Sequence, residues 1–420
     1  MSRTQLMHAL SALTADHAAA HRLGVPVAEA RQVRRRTVLK GALATAAVTA
    51  AAAPARAAAA SAPRIAVVGA GIAGLTAALT LHDAGYACTL YEANPDRVGG
   101  RMYSQRDHWA WGQTSEIGGE LIDTGHKKIQ ELCRRFSLPL EDFLGGGPNG
   151  AEEVFFFDGV YYPRARADED FKAVYQALHT DLQAAGEVKW NQTTAAGTAL
   201  DTMSLYDWIE SHVPGGHASP LGQLFDVAYN VEYGADTTEQ SSLALVLLMG
   251  YQTNPGDFNI WGLSDERYHI VGGNDQLPHS IAGSLPAGTI RQGWSLQAVR
   301  AEADGTQTLT FSEAGTTRTV TADHTVLCVP LPILQRLDLS RAGFDPRMTS
   351  LLRDARMGYC TKLNMQFSSR LWRGTGPWPG VSAGECFTDG RVQQTWTPPR
   401  SSPAPAASSS STAAAASPSR

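Results

Sequence analysis

The 420-residue chain is 43% hydrophobic and 18% charged, with 40 glycines and a formal net charge of -5, enough length and apolar content for two domains with cores of their own. Its mild acidity, with no basic run outside the N-terminus, argues against a nucleic-acid partner. No H-E-x-x-H or comparable His/Cys set suggests a metal site, no G-x-S-x-G elbow suggests a serine hydrolase, and five cysteines without a C-x-x-C favour buried free thiols, Cys88 and Cys328 in apolar runs among them.

The first element is an address. In "RRRTVLKGALATAAVTAAAAPARAAAA", Arg34 to Arg36 form a basic region, Val38 to Ala53 a weakly apolar stretch, and Ala55-Arg56-Ala57 a small-residue cleavage pattern. The apolar run is shorter than the roughly 20 residues that span a bilayer. "RRTVLK" resembles a twin-arginine export signal. That implies a 1–57 leader, the twin-arginine translocase as a partner, and a periplasmic or secreted product.

"RIAVVGAGIAGLTAALTLHDAGYACTLYEANPDRVGGR" follows. Ile65 to Val68 has strand length, Gly69-Ala70-Gly71-Ile72-Ala73-Gly74 is a G-x-G-x-x-G, Thr76 to Ala84 has helical character, and a strand over Ala87 to Tyr91 ends at Glu92. In that context Gly69 permits the tight turn, Gly71 lets backbone approach a pyrophosphate, and Gly74 lets helix pack on strand. The helix N-terminus offers unpaired N–H groups to phosphate. Glu92 lies roughly 20 residues on, where a carboxylate can accept from ribose hydroxyls. Leu75 stands where a P-loop needs lysine. In "RVGGR", Gly99 and Gly100 leave room for a ligand, and Arg101 can bond phosphate oxygens.

At this point the sequence resembles the flavin-containing amine oxidases, the group of monoamine, polyamine and L-amino acid oxidases. The glycine fingerprint, Glu92 and the "GGR" ending in Arg101 match. "EIGGELIDTGHKKIQELCRRFSL" resembles the segment that passes under the flavin ring, "YHIVGGNDQLPHSIA" the return to the nucleotide region, and "MGYCTKLNMQFSSRLW" the catalytic-lysine segment. The resemblance implies FAD held by Gly69, Gly71, Ala73, Gly74, Glu92, Ala93, Gly100, Arg101, Gly118, Gly119, Glu120, Leu121 and Leu296. It also implies a catalytic Lys362, with Phe367 and Trp372 matching by spacing, and oxidation of an amine C–N bond with dioxygen as the electron acceptor.

The residues alone say less of Lys362. "CTKLNMQFS" alternates, so Lys362, Asn364 and Gln366 share a face that lines a wet cavity or meets solvent. For substrate, the family's L-amino acid oxidases place an arginine where Leu121 stands, which disfavours an amino-acid carboxylate. Asp123 falls where polyamine oxidases place an acid; the alternative is a cap for a helix beginning near His126. Glu120 and Glu232 are further candidates for that role.

The expected fold is α/β, a Rossmann-like FAD-binding domain assembled from residues 63–145 and 262–336. An inserted α+β substrate domain is expected from 146–261 and 337–396. Beyond Trp396 the chain reads "TPPRSSPAPAASSSSTAAAASPSR", a composition that buries no core. Residues 397–420 are accordingly expected to be disordered, as a linker or, by preference, a frameshifted tail. On that expectation the family's C-terminal FAD-binding segment is missing and the chain holds FAD weakly, with an inactive remnant as the alternative.

Overall fold

The structure, a computed structural model, describes residues 62–143, 150–189 and 192–397, together with the backbone of Ser409–Ala414. The leader expected at 1–57 and the boundary expected at 145/146 lie outside these residues.

Strand β1, Ile65–Val68, is four consecutive buried apolar residues, the pattern of a parallel strand covered on both faces. It pairs in parallel with Cys88–Glu92 (β2) on one side and with His324–Leu327 on the other. Ile290–Gln292 extends the sheet beyond β2, also in parallel. Two of the four strands therefore arrive from far downstream, and the sheet is Rossmann-like and assembled from separated segments. Helix α1, Ile72–Asp83, starts at Ile72 rather than Thr76, because the glycine turn is itself the first turn of the helix. Its buried Leu75, Ala78 and Leu79 pack with Ile65, Val67 and Leu90.

A second sheet, in the order 316–322, 307–313, 294–301 and 338–341, closes over β2 through Tyr91. The Tyr91 and Phe311 rings stack at 4.5 Å, and Leu296 and Val299 complete that small core.

The inserted α+β region is built on a six-stranded mixed sheet in the order 361–366, 409–414, 394–396, 381–388, 151–157 and 160–162. Helices between Arg164 and Met249 cover it, burying Phe171, Trp208, Phe225 and Tyr229 against Phe155 and Phe387. The helix ends follow local chemistry. Pro220–Tyr233 starts on the Ser219 hydroxyl, which accepts from Gly222 N, has proline in its first turn, and stops at Gly234 with φ 64°. Within the stretch expected to be disordered, Ser409–Ala414 is instead a strand, antiparallel to 361–366 and 394–396. Backbone donors and acceptors suffice for that pairing, whatever the side chains lack. Residues 398–408 and 415–420 lie outside the described residues.

All five cysteines are free, but burial is uneven. Cys133 is buried, Cys88, Cys328 and Cys386 are half-buried, and Cys360 is exposed. The expectation of uniformly buried thiols is corrected at Cys360, which enters an edge strand of the six-stranded sheet.

One polar knot joins the pieces. Glu116 is 1% exposed and accepts from His269 Nε2 at 2.8 Å, Asn274 N at 2.8 Å and the Ser104 hydroxyl. Asp275 next to it takes the Arg106 guanidinium at 2.5 Å. Burial alone pushes the His269 imidazole down. Hydrogen bonds to Glu116 and Glu141 outweigh that burial and lift it from 6.5 to about 9. A raised histidine contributes its stability in full below its unfolded value and loses it as pH rises through the folded one. The thermal midpoint is therefore expected to fall between pH 7 and 9.5, and His269→Gln to flatten that fall. A melt series showing the same slope in both proteins would remove His269 from this role. Glu116→Ala leaves the imidazolium buried without its main partner and is expected to cost about 3 kcal/mol.

Candidate functional site

At the head of α1, three glycine-bearing segments converge. A Cβ on Gly74 would stand 1.9 Å from the Gly69 carbonyl oxygen, so glycine is required there for helix to meet strand. Gly69 itself has φ 98°. Gly71 differs: its backbone is extended (φ -72°) and no side chain caps the helix. A Cβ there would meet nothing nearer than Gly100 Cα at 3.9 Å. The space over Gly71 is thus open, which suits backbone approach by a ligand rather than packing by the protein. Gly99 bridges to Gly71 and lays the "VGG" loop across the helix head, where Ala73, Gly100 and Arg101 are exposed.

Glu92 is placed as expected, yet its carboxylate is partly used. Oε2 accepts from Ala70 N at 2.7 Å and Oε1 from Asn94 N at 2.8 Å. A carboxylate has about four acceptor positions, so capacity for ribose hydroxyls remains. Ala93 beside it is exposed. Leu296, on the second sheet, is buried in the small core it shares with Tyr91.

The second predicted segment is fastened to this cradle by main chain. Gly119 N donates to Arg101 O at 2.8 Å, and a Cβ on Gly118 would lie 1.9 Å from that same oxygen. Arg101 and Gly118-Gly119 are thus brought together, and the glycine at 118 answers to the Arg101 backbone.

Beyond them opens a cavity of about 420 Å³, walled by Gly118, Glu120, Leu121, Lys362 and Trp396 among others. Of the strand Thr361–Gln366, Thr361 and Lys362 line it. Lys362 Nζ meets Glu120 Oε2 at 2.5 Å and lies 5.3 Å from the Trp396 ring centre. Asn364 donates to Glu116 O at 3.1 Å, and Gln366 to Ala110 O at 2.9 Å. That face is half-buried and docks on residues 110–120. Phe367 and Trp372 form an edge-on pair at 4.9 Å.

Asp123 does not cap the helix; its carboxylate is engaged by a loop. Its Oδ1 accepts from Ser264 Oγ and Glu266 N, both at 2.9 Å. It is not among the cavity-lining residues, and the helix Lys127–Arg135 begins at His126 without a side-chain cap. Instead it pins the 264–266 loop. That loop presents Glu266 to the cavity, where Glu232 and Glu385 also stand. Glu266, Glu385 and the tryptophans Trp261 and Trp396 were missed by motif spacing. Burial, then Glu232, Asp123 and Glu120, lift Glu266 to about 7.

A sequence model described as flavin-containing amine oxidoreductase matches residues 72–417. The chain is 26% identical over 339 residues to an L-amino-acid oxidase of Pseudechis australis, covering 78% of this chain and 61% of that one. It is 26% identical over 344 residues to L-amino acid oxidase bordonein-L of Crotalus durissus terrificus, covering 77% and 61%. The chain thus spans about 61% of the length of these curated relatives. Among solved structures, the cyclohexylamine oxidase of Brevibacterium oxydans IH-35A superposes with a TM-score of 0.69 at 20% identity, covering 84% of this chain and 75% of that one. A redesigned putrescine oxidase gives 0.68 at 18%, with the same coverage. At such identities the structures establish the fold.

The glycine cradle, uncapped helix and exposed Arg101 fit the diphosphate of FAD. Gly71→Ala is expected to leave the melting temperature within about 2 °C, because the protein itself has room there, yet to weaken FAD retention about tenfold. Absorbance after incubation with FAD and desalting measures it. Undiminished flavin would show that nothing approaches over Gly71.

Proposed function

The chain belongs to the flavin-containing amine oxidoreductase family, and on that premise we propose that it oxidises an amine to an imine, which water hydrolyses to an aldehyde and ammonia. Bound FAD would supply the electron chemistry, taking hydride from the carbon and passing both electrons to dioxygen as hydrogen peroxide. The observation that carries this proposal is the position of Lys362: a half-buried ammonium lining the cavity, on a strand docked to the segment whose other end is fastened to the cradle.

The chain's own residues then have definite tasks. Gly69, Gly71 and Gly74 with the α1 N-terminus would hold the diphosphate, Arg101 would reach its oxygens, and Glu92 the ribose. Gly118 and Gly119 bring main chain to the wall between cradle and cavity. Lys362, steadied by Glu120 and lying beside the Trp396 ring, is placed to hold a water or the reacting nitrogen by donated hydrogen bonds.

The names of the curated relatives favour a second reading, an L-amino acid oxidase. The residues lining the cavity oppose it. Glu120, Glu232, Glu266 and Glu385 line it, and Lys362, the basic side chain among the lining residues, is taken by Glu120. Leu121 lines it too, and a substrate carboxylate would meet no unclaimed cation there. Export by the twin-arginine route, drawn from Arg35 to Lys40, belongs to the same proposal. Among the described residues no helix is long and apolar enough to cross a membrane.

With FAD in excess, peroxide release is expected from amines and not from L-amino acids. Lys362→Met is expected to lower kcat/KM about a hundredfold while the flavin absorbance is retained. Peroxide from L-amino acids alone would establish the second reading, and no peroxide from either class would overturn both.

A further inference from the structure

Two buried side chains on the wall of the Lys362 cavity each carry a polar atom without a hydrogen-bond partner. Trp261 and Glu120 both line the cavity, and each is 8% exposed. The indole Nε1 of Trp261 can only donate, and it meets no acceptor among the described residues. Glu120 Oε2 accepts from Lys362 at 2.5 Å and from Trp396 at 3.1 Å, while its Oε1 meets no donor among them. Buried polar atoms are rarely left in that state. One wall therefore presents an unmet donor and an unmet acceptor.

The Trp261 ring is held where it stands. Asn259 Oδ1 accepts from Trp261 N at 3.0 Å, and Ser264 N donates to Trp261 O at 3.1 Å. The ring packs against Phe387 and Tyr229, with centroids 5.9 and 6.3 Å away. The unmet indole N–H is thus fixed by the packing around it, and a molecule entering the cavity is the remaining source of an acceptor.

The neighbouring acids narrow what that molecule can be. Burial, then Asp123, raises Glu232. Burial, then Glu232, Asp123 and Glu120, raises Glu266 to about 7. Burial, then Glu153 and Glu266, raises Glu385 well above the carboxylate range. Carboxyls so placed favour the neutral form, and this part of the wall suits a neutral polar group rather than an ion. A second ammonium has no lone pair to offer the Trp261 N–H. A carboxylate has lone pairs, but it would stand among acids with Lys362 already taken by Glu120.

We infer that Trp261 and Glu120 read the two ends of one substrate: its amine donates to Glu120 Oε1, and an uncharged oxygen further along accepts from Trp261 Nε1. The preferred substrate is then an amino alcohol with a short carbon chain between nitrogen and oxygen. A volume of about 420 Å³ admits such a molecule. This deepens the amine oxidase proposal and rests on it for the reaction, not for binding.

The test is equilibrium binding to the full chain by calorimetry, at pH 6.5 and fixed ionic strength. The probes are 4-aminobutan-1-ol, pentylamine and 1,4-diaminobutane, which share one aminoalkyl arm and end in hydroxyl, methyl or ammonium. The alcohol is expected to bind about fivefold more tightly than either of the others. Trp261→Phe keeps an aromatic ring but removes the N–H, and it should bring the ratio of alcohol to pentylamine below about twofold. In the nitrogen-15-labelled parent, one indole N–H resonance should move downfield with the alcohol and stay in place with pentylamine. That reading needs the parent protein alone, so it decides the matter if the variant does not fold. Equal binding of alcohol and pentylamine by the parent overturns the inference. So does tighter binding of the diamine, an unchanged ratio in Trp261→Phe, or indole resonances that respond alike to alcohol and pentylamine. Peroxide release is measured separately. An alcohol preference without peroxide from any amine rejects the oxidase reading and keeps the subsite, whereas peroxide without a preference does the reverse.

Discussion

A carboxylate with almost no access to water, Glu116, holds together three stretches of chain that are far apart in sequence. Ser104, His269 and Asn274 all donate to it. An ionised group in that position is tolerated only when every lone pair is engaged, so these segments are not free to shift independently. Its own strand continues into Gly118, Gly119 and Glu120, and the Glu116 carbonyl accepts from Asn364 on the lysine strand. The wall between cradle and cavity, and the strand that delivers Lys362, therefore both depend on one desolvated ion and its donors.

The cavity stands in contrast to this knot. Around Glu116 each charge meets an opposite charge or a donor; around Glu266 and Glu385 the acids face one another and the fold keeps them apart from their natural partners. Burial and neighbouring acids disfavour the anionic forms there. The Asp123 carboxylate fixes the 264–266 loop that carries Glu266.

The glycine fingerprint, Glu92 and the lysine strand were legible in the sequence because their geometry is local. A turn, a helix head and an alternating strand write themselves into a few consecutive residues, and family spacing then assigns Lys362. The orientation of the lysine strand was not legible, since alternation gives a polar face without saying what covers it. Glu266 and Glu385 were invisible for a different reason: each is an unremarkable acid in its own segment, and only the tertiary fold brings them to one wall. Asp123 was visible, but spacing did not reveal that its carboxylate holds the 264–266 loop. The strand at Ser409–Ala414 escaped notice because composition speaks of side chains, while an added strand needs only main chain.

The contact between Arg101 and residues 118–119 has a thermodynamic meaning. One peptide oxygen, that of Arg101, belongs to the loop over the helix head, and the main chain it touches runs on into the cavity wall. The two compartments thus share a partition one backbone thick. Any displacement that an occupant of one compartment imposes on it is work done on the other. By linkage, the affinity at each end changes by the same factor when the opposite end fills.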